Sequence, residues 1–425
     1  MPFSLRLGGD VAAVAVLVLL LLLAFSPWWA AGRLIAPLDI LDAVYAPWNA
    51  DATRVDMHNH FTGDAVTQYL IYRKIAERSF AEDGSIGWSD LTGGGRPEHA
   101  NTMALYGDWT MQLHRFLDFW TAWHLGLMGQ FLLAALGMFV FLRARDRSPA
   151  VALVGAVAYG GNTQFVLWIF HRWQLGAFAW VPWMVWAMDR DAAGRRWAWP
   201  LVPVFMALAF LGGNLQTAAF VALVAVVMAL ARVMRAPAGP NGRRVVAARF
   251  LAWSVLGAGL AAFTLLPATY AFLETLEIGL DRGGIGYANG ALQPLLSLLF
   301  IPAQLFPSLL GGPGSMDLAK VLKLDQFDIA FFGFLPGILA CRALFLRGAP
   351  PAARWLMILG LGLPLTPLVG PLYHRVQLLF IFGGVWAFAW YFEHAAGEGV
   401  DPVVRRIFFA FVALVALWLA GSIAS

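Results

Sequence analysis

Six polar residues fall within a short stretch early in the chain: Asp51, Asp56, His58, His60, Asp64 and Gln68. In extended backbone alternate side chains point the same way, so Asp56, His58 and His60 share one face. Asp64 follows at the expected start of a helix, with Gln68 one turn further along the same side. Two carboxylates beside two imidazoles have two chemical uses. They hold a divalent cation, with Asp56, His58 and His60 as ligands, or they supply a base and the group that orients it. On the second reading Asp64 is the expected catalytic residue. Plainer readings stand beside both: Asp64, after Thr62-Gly63, is well placed as a helix N-cap, and the histidines fit a solvated loop.

A second constellation runs from Trp88 through Gly93-Gly94-Gly95-Arg96-Pro97 to Asn101. Three glycines let backbone amides approach an anion, and Arg96 can pair with a phosphate. No Walker Lys-Ser/Thr follows, so a nucleotide loop is not supported, and a surface loop is the plain alternative. Further polar groups occur at His171, Arg172 and Gln174, at Asn214 and Gln216, at Glu274, Glu277, Asp281 and Arg282, and at His374 and Arg375. Every set falls at the same end of its expected helix. His171, Gln216, Arg282 and Arg375 are therefore expected to line one pocket; with Gln68, Trp88, Arg96 and Asn101 they make up the expected substrate-binding residues. Trp168, Trp173, Trp180 and Trp183 read as an interfacial aromatic belt rather than sugar platforms. Neither a Gly-x-Ser-x-Gly elbow nor a His-Glu-x-x-His helix is present.

The elements that must position these groups are membrane helices. The 425 residues are 60% apolar and 13% charged, against about 25% charged in soluble domains; mean hydropathy is +0.69. The apolar residues come in blocks of about 20, the length that crosses a bilayer. This excludes a soluble globular protein, a disordered chain and a coiled coil. The single cysteine, Cys341, excludes a disulfide framework and a Cys-rich metal site. The net charge of +4 comes from arginines clustered at helix ends, a topology signal that gives no reason to expect nucleic acid.

An all-α polytopic fold with about 11 transmembrane helices is expected. The first, within residues 1–32, reads as a signal anchor, since Val11 to Gly32 is uncharged and closes on Ser26-Pro27-Trp28-Trp29. A large extracytoplasmic loop, 33–116, contains an amphipathic helix over Ala65 to Glu77, with Val66, Tyr69, Leu70 and Ile75 on its apolar side. Spans are then expected at 117–142, 150–170, 175–188, 198–213 and 217–231. A cytoplasmic linker, 236–249, separates this module of 117–235 from a second module of 250–425. That module has spans at 250–272, 327–346, 354–371, 377–392 and 406–423, and a Pro-interrupted re-entrant segment near 291–311. With the N-terminus inside, seventeen arginines fall in inside loops and five basic residues in short outside loops. The chain is thus expected in the bacterial cytoplasmic membrane, N-terminus cytoplasmic and C-terminus extracytoplasmic.

The order of these features resembles the YfhO-type bacterial membrane proteins, which look like members of the wider GT-C glycosyltransferase fold. The resemblance rests on Gly63-Asp64-Ala65-Val66-Thr67-Gln68, Trp88 with Gly93-Gly94-Gly95-Arg96-Pro97 and Asn101, and Trp180-Val181-Pro182. Gly212-Gly213-Asn214-Leu215-Gln216, Leu266-Pro267 and Tyr373-His374-Arg375 complete it. It implies a large first outer loop folded over a helix bundle, a polyprenyl-phosphate-linked sugar donor, and an acidic residue of that loop as base. The matching position is Asp64, with Asp56 as alternative; Gln68 and Arg96 become substrate contacts, and Arg282 or Arg375 neutralises the leaving phosphate. The departure is at the C-terminus, where such chains usually run on and this one stops shortly after Trp418.

Three functions follow as expectations. The first is a membrane glycosyltransferase that decorates an envelope glycan or lipid acceptor. The second is a transporter or flippase for a lipid-linked sugar. The third is a non-catalytic membrane partner subunit. A divalent cation is the one cofactor the residues raise, and membrane lipid is a partner on every reading.

Overall fold

The computed structural model describes residues 7–50, 62–91, 94–236, 240–281, 298, 300–307, 329–366, 373–395 and the single positions 402, 404 and 406. Almost all regular structure among them is helical. Leu7–Ala24 (α1) is apolar apart from Asp10, at its start, and is followed by the turns Ser26–Trp29 (α2) and Asp39–Val44 (α3). The helix expected over residues 65–77 is present. It opens with a π-helical turn, Ala65–Tyr69, and continues as Leu70–Asp83 (α4), with Val66, Tyr69, Leu70 and Ile75 all buried. Gly84 ends it in the left-handed conformation at φ 69°, which glycine adopts without a Cβ penalty.

A two-residue ladder pairs Trp88–Ser89 (β1) with Arg96–Pro97 (β2) in antiparallel register, Trp88 opposite Pro97. A 3₁₀ turn, Trp109–Arg115, then leads into the bundle. Ala76, Ile86, Ala104, Tyr106 and Met111 give this portion a small core of its own. It sits on the N-terminal end of the longest helix, Phe119–Arg143 (α5), which Asp118 caps by accepting from the Thr121 amide at 3.1 Å.

The bundle continues with Pro149–Gly160 (α6), Thr163–Leu167 (α7), Trp173–Phe178 (α8), Val181–Ala192 (α9), Leu201–Leu211 (α10) and Leu215–Arg235 (α11). Pro240–Leu260 (α12) and Ala262–Asp281 (α13) follow, then the turn Phe300–Ala303 (α14), Phe334–Leu344 (α15), Pro351–Gly362 (α16) and Leu378–Ala395 (α17). Helix α17 is apolar on all sides and is the centre of the core: its residues 378–389 are buried, packed between α6, α15 and α16. The opposite pattern marks α12 and α13, where Leu251, Val255, Leu260, Leu266 and Tyr270 are all more than half exposed, as on a lipid-facing surface.

The span count differs from the expected 11. Among the described residues four helices are long and apolar enough to cross a membrane: Phe119–Arg143, Pro149–Leu167, Leu215–Arg235 and Arg375–His394. A fifth is reached if Gly242–Leu260 and Ala262–Ala271, bent by 79° at their junction, count as one broken span. The expected span at 250–272 straddles that bend, and residues 240–249 of the expected linker are the first turns of α12. The span at 175–188 divides into α8 and α9. Helices of eleven or twelve residues, such as α10, α15 and α16, reach about 17 Å at 1.5 Å per residue, roughly half the hydrocarbon thickness. Apolar runs do not reveal where a helix breaks inside them. The span at 406–423 lies outside the described residues, as does most of 291–311. There, Gln304 accepts a hydrogen bond from the Ala330 amide at 2.5 Å.

Candidate functional site

The start of the outer helix presents a polar ladder. Asp64 sits in helical backbone, and its side chain makes no capping hydrogen bond, so the N-cap reading fails. Its Oδ1 instead accepts from Gln68 Nε2 at 3.2 Å, and Tyr72 donates through its hydroxyl to Gln68 Oε1 at 3.4 Å. One helix face thus carries Asp64, Gln68 and Tyr72 at successive turns. The π-helical turn beneath them widens the backbone at this point, a distortion that recurs at functional sites.

The loop between α7 and α8 closes on this ladder from the bundle side. His171 Nε2 lies 4.0 Å from Asp64 Oδ2, and their side chains are 5% and 59% exposed respectively. Burial, reinforced by the Arg375 charge, pushes the imidazole down to about 3, so His171 is neutral at pH 7. The contact is therefore a neutral ring set beside an accessible carboxylate, and no ion pair forms between them.

Behind both stands an aromatic wall. Tyr69 packs on His171 at 4.6 Å and on Trp173 at 5.9 Å between ring centroids, and Trp168 lies 4.6 Å from His171 and 5.6 Å from Trp173. Arg375, from the turn before α17, lays its guanidinium over Trp168 at 4.3 Å and Trp173 at 4.8 Å. Residues some 300 positions apart in sequence therefore meet here. Burial holds the Tyr69 phenol well above its usual range; the Asp64 charge adds to this and the Arg375 charge opposes it. Three buried polar atoms of the wall, Tyr69 Oη, His171 Nδ1 and Trp173 Nε1, have no hydrogen-bond partner among the described residues. Buried polar groups are rarely left so, and a ligand's polar atoms would satisfy them.

The loop is held by Arg172, which adopts a left-handed backbone conformation at φ 68° and is fully buried. It donates to the Trp123 carbonyl of α5 at 2.6 Å and to Thr110 Oγ1 at 3.4 Å, and it stacks over Trp123 at 4.4 Å. Thr110 is bound in turn to Asp108, which also accepts from Gln130 Nε2 at 3.2 Å. A strained, buried arginine thereby fixes the residue next to it, His171, against the outer helix.

The other expected site residues divide. Gln216 is half-buried at the first turn of α11, whose cap Asn214 accepts from the Thr217 amide at 2.9 Å and reaches Met103 beside the aromatic wall. Trp88 is 59% exposed in the outer ladder, donates to Asp90 Oδ1 at 2.7 Å and is not part of the aromatic wall. Asn101 ends a 3₁₀ turn, with its Nδ2 buried and unpartnered among the described residues. Arg96 takes a backbone position in β2; its side chain lies outside what is described, as do Arg282, Asp56, His58 and His60. Among the described residues, no three His, Cys, Asp or Glu side chains gather as a metal site would require.

Trp168 and Trp173 are buried in the wall, which corrects the belt reading, and Trp180 stacks on Phe205 at 5.7 Å. Tyr69, Tyr72 and Asp108 were not legible as site residues, and Arg172 was legible only as one of the polar set with His171 and Gln174. The available signals were the aromatics five and eight positions after Asp64, and the tryptophans flanking His171-Arg172.

Fold and site together define a polytopic helical membrane protein with a cap at one end of the bundle that carries an accessible carboxylate over an aromatic, arginine-bearing wall. The family model described as bacterial membrane protein YfhO matches residues 48–280, more than half of the chain, and the protein belongs to that family. The matched stretch includes Asp64, Gln68 and the 168–173 loop and stops short of Arg375. No curated protein and no solved structure matches the chain.

Proposed function

We propose that the protein is a membrane glycosyltransferase of GT-C type. It moves a sugar from a polyprenyl-phosphate-linked donor to an envelope glycan or lipid at the extracytoplasmic face. The observation that carries this reading is the exposed Asp64 carboxylate, oriented by Gln68, beside a wall whose cation and unpartnered polar atoms suit a phosphorylated, hydroxyl-rich ligand.

In the proposed reaction an Asp64 oxygen takes the proton of an acceptor hydroxyl, and the acceptor's oxygen attacks the anomeric carbon. The bond from the anomeric carbon to the lipid phosphate oxygen breaks, and the electron pair leaves with the phosphate. A single displacement of this kind inverts the anomeric centre. Arg375, held over Trp168 and Trp173, offsets the charge that develops on the leaving phosphate. His171 stays neutral and acts as a polar wall. A divalent cation at Asp56, His58 and His60 belongs to this proposal only as an addition and takes no step in it.

The half-length helices α15 and α16 and the bent α12–α13 pair favour one second reading, a transporter of lipid-linked sugar built on broken helices. Mass spectrometry of lipid extracts separates the two. A strain carrying Asp64→Asn at normal abundance is expected to accumulate the lipid-linked sugar several-fold above wild type. Equal levels in both strains contradict the enzyme reading and leave the transporter.

A further inference from the structure

At the end of the bundle where α1 starts and α5 and α9 finish, two cavities adjoin. One, of about 540 Å³, is an apolar groove between these helices, lined by Val11, Val14, Leu136, Phe139 and Val140 and overhung by Trp197. From Leu136 to Arg143 it follows two turns of α5, about 10 Å. The other, of about 890 Å³, is polar and is ringed by Arg145, Arg147, Arg232 and Arg235. Arg143 and Arg190 line both.

Among the described residues that line the two cavities the charges do not cancel: seven arginines stand against the four acids Asp10, Asp146, Asp189 and Glu393. Asp10 is used by Arg143, which grips it through two nitrogens. Asp189 is shared between Arg145 and Arg232. Arg232 keeps a second, buried nitrogen, Nη1, without a partner among the described residues. Arg195 and Arg235 are exposed, and neither has an ion pair among the described residues.

We propose that this end of the protein is a binding site for an anionic phospholipid. One acyl chain lies in the α1–α5–α9 groove, and the phosphate sits among Arg190, Arg195 and the arginines of the polar cavity. The excess positive charge selects an anion, and the groove requires that the anion carry a hydrocarbon chain. The groove flanks α5, itself long and apolar enough to span, which suits it to a hydrocarbon chain. Basic pockets between membrane helices hold lipid headgroups by the same physics. The proposal does not depend on the reading of Asp64.

The test is thermal unfolding of the purified full chain in a neutral detergent, with phosphatidylglycerol, phosphatidylcholine or inorganic phosphate added. Phosphatidylglycerol is expected to raise the unfolding temperature by several degrees, and the other two are not. Native mass spectrometry should show phosphatidylglycerol retained by wild type about tenfold better than by the surface variant Arg195→Gln/Arg235→Gln. These side chains are exposed, so the fold is expected to survive their loss. Equal stabilisation by phosphatidylcholine overturns the role of the arginines. Equal stabilisation by inorganic phosphate overturns the role of the groove and leaves a site for a water-soluble anion. Full retention of phosphatidylglycerol by the double variant overturns the placement of the headgroup.

Discussion

Asp64 is open to solvent while the imidazole beside it is buried, so the carboxylate is the accessible member of the pair. The buried member carries a stability consequence. Burial, with help from nearby arginines, pushes both His171 and His114 down to about 3, whereas an unfolded histidine titrates near 6.5. Between those values the unfolded chain binds protons that the folded chain refuses. Stability is therefore full above about pH 6.5 and is lost as pH falls, at a slope approaching about 1.4 kcal/mol per pH unit for each imidazole. Unfolding temperatures measured from pH 7.5 to 5.0 should drop, and His171→Phe with His114→Leu should flatten the curve; a flat wild-type curve contradicts the burial argument. At Arg375, lysine keeps the charge but loses the guanidinium's contact with the Trp168 and Trp173 rings. Arg375→Lys is expected to lower transfer about tenfold, the equivalent of one lost cation–π contact, with an unchanged circular dichroism spectrum. An unchanged transfer rate would place the phosphate elsewhere.

At the scale of elements, the site depends on how closely α8 meets the turn between α10 and α11. A Cβ on Gly176 would lie 2.2 Å from the Gly212 carbonyl oxygen, and one on Gly212 would lie 2.4 Å from that of Gly176. Only a backbone without side chains on both sides allows this approach, and nothing flexible is there to give way. Gly176→Ala is expected to cost about 1–3 kcal/mol and to shift the 168–172 loop away from Asp64. Thermal unfolding and transfer should therefore fall together; normal stability would show that the contact is not tight. The helix under Asp64 was legible in the sequence, because Asp64 and Gln68 lie one turn apart and Val66, Tyr69, Leu70 and Ile75 mark a buried side. Its partner loop was legible only as isolated polar groups. Nothing local in Trp168 or Arg375 signals that each meets the other.

For the whole molecule, composition sufficed to establish a helical membrane protein, and the arrangement of its helices did not follow from composition. Apolar runs mark what dissolves in hydrocarbon, but glycine, proline and asparagine inside them break helices without changing the run. Asn162 shows this by accepting from the Phe165 amide at 3.1 Å and starting α7 directly after α6. Orientation rests on arginine placement and is open to direct test. In a Cys341→Ala background, cysteines at exposed Glu82 and exposed Ala193 should label from opposite sides of intact cells. Glu82→Cys is expected to react with an impermeant maleimide added outside, and Ala193→Cys only after permeabilisation. The reverse pattern would put Asp64 on the cytoplasmic side and remove the envelope acceptor from consideration.

The central claim is that Asp64 performs glycosyl transfer. It is tested most directly by mass spectrometry of envelope glycans from a deletion strain complemented with wild type or with Asp64→Asn. Asparagine keeps the size of the side chain and its hydrogen bond to Gln68 while removing the charge, so the variant should fold and reach normal abundance. One sugar decoration is expected to disappear on deletion, to return with wild type and to stay absent with Asp64→Asn. Restoration of that decoration by the variant would contradict the claim.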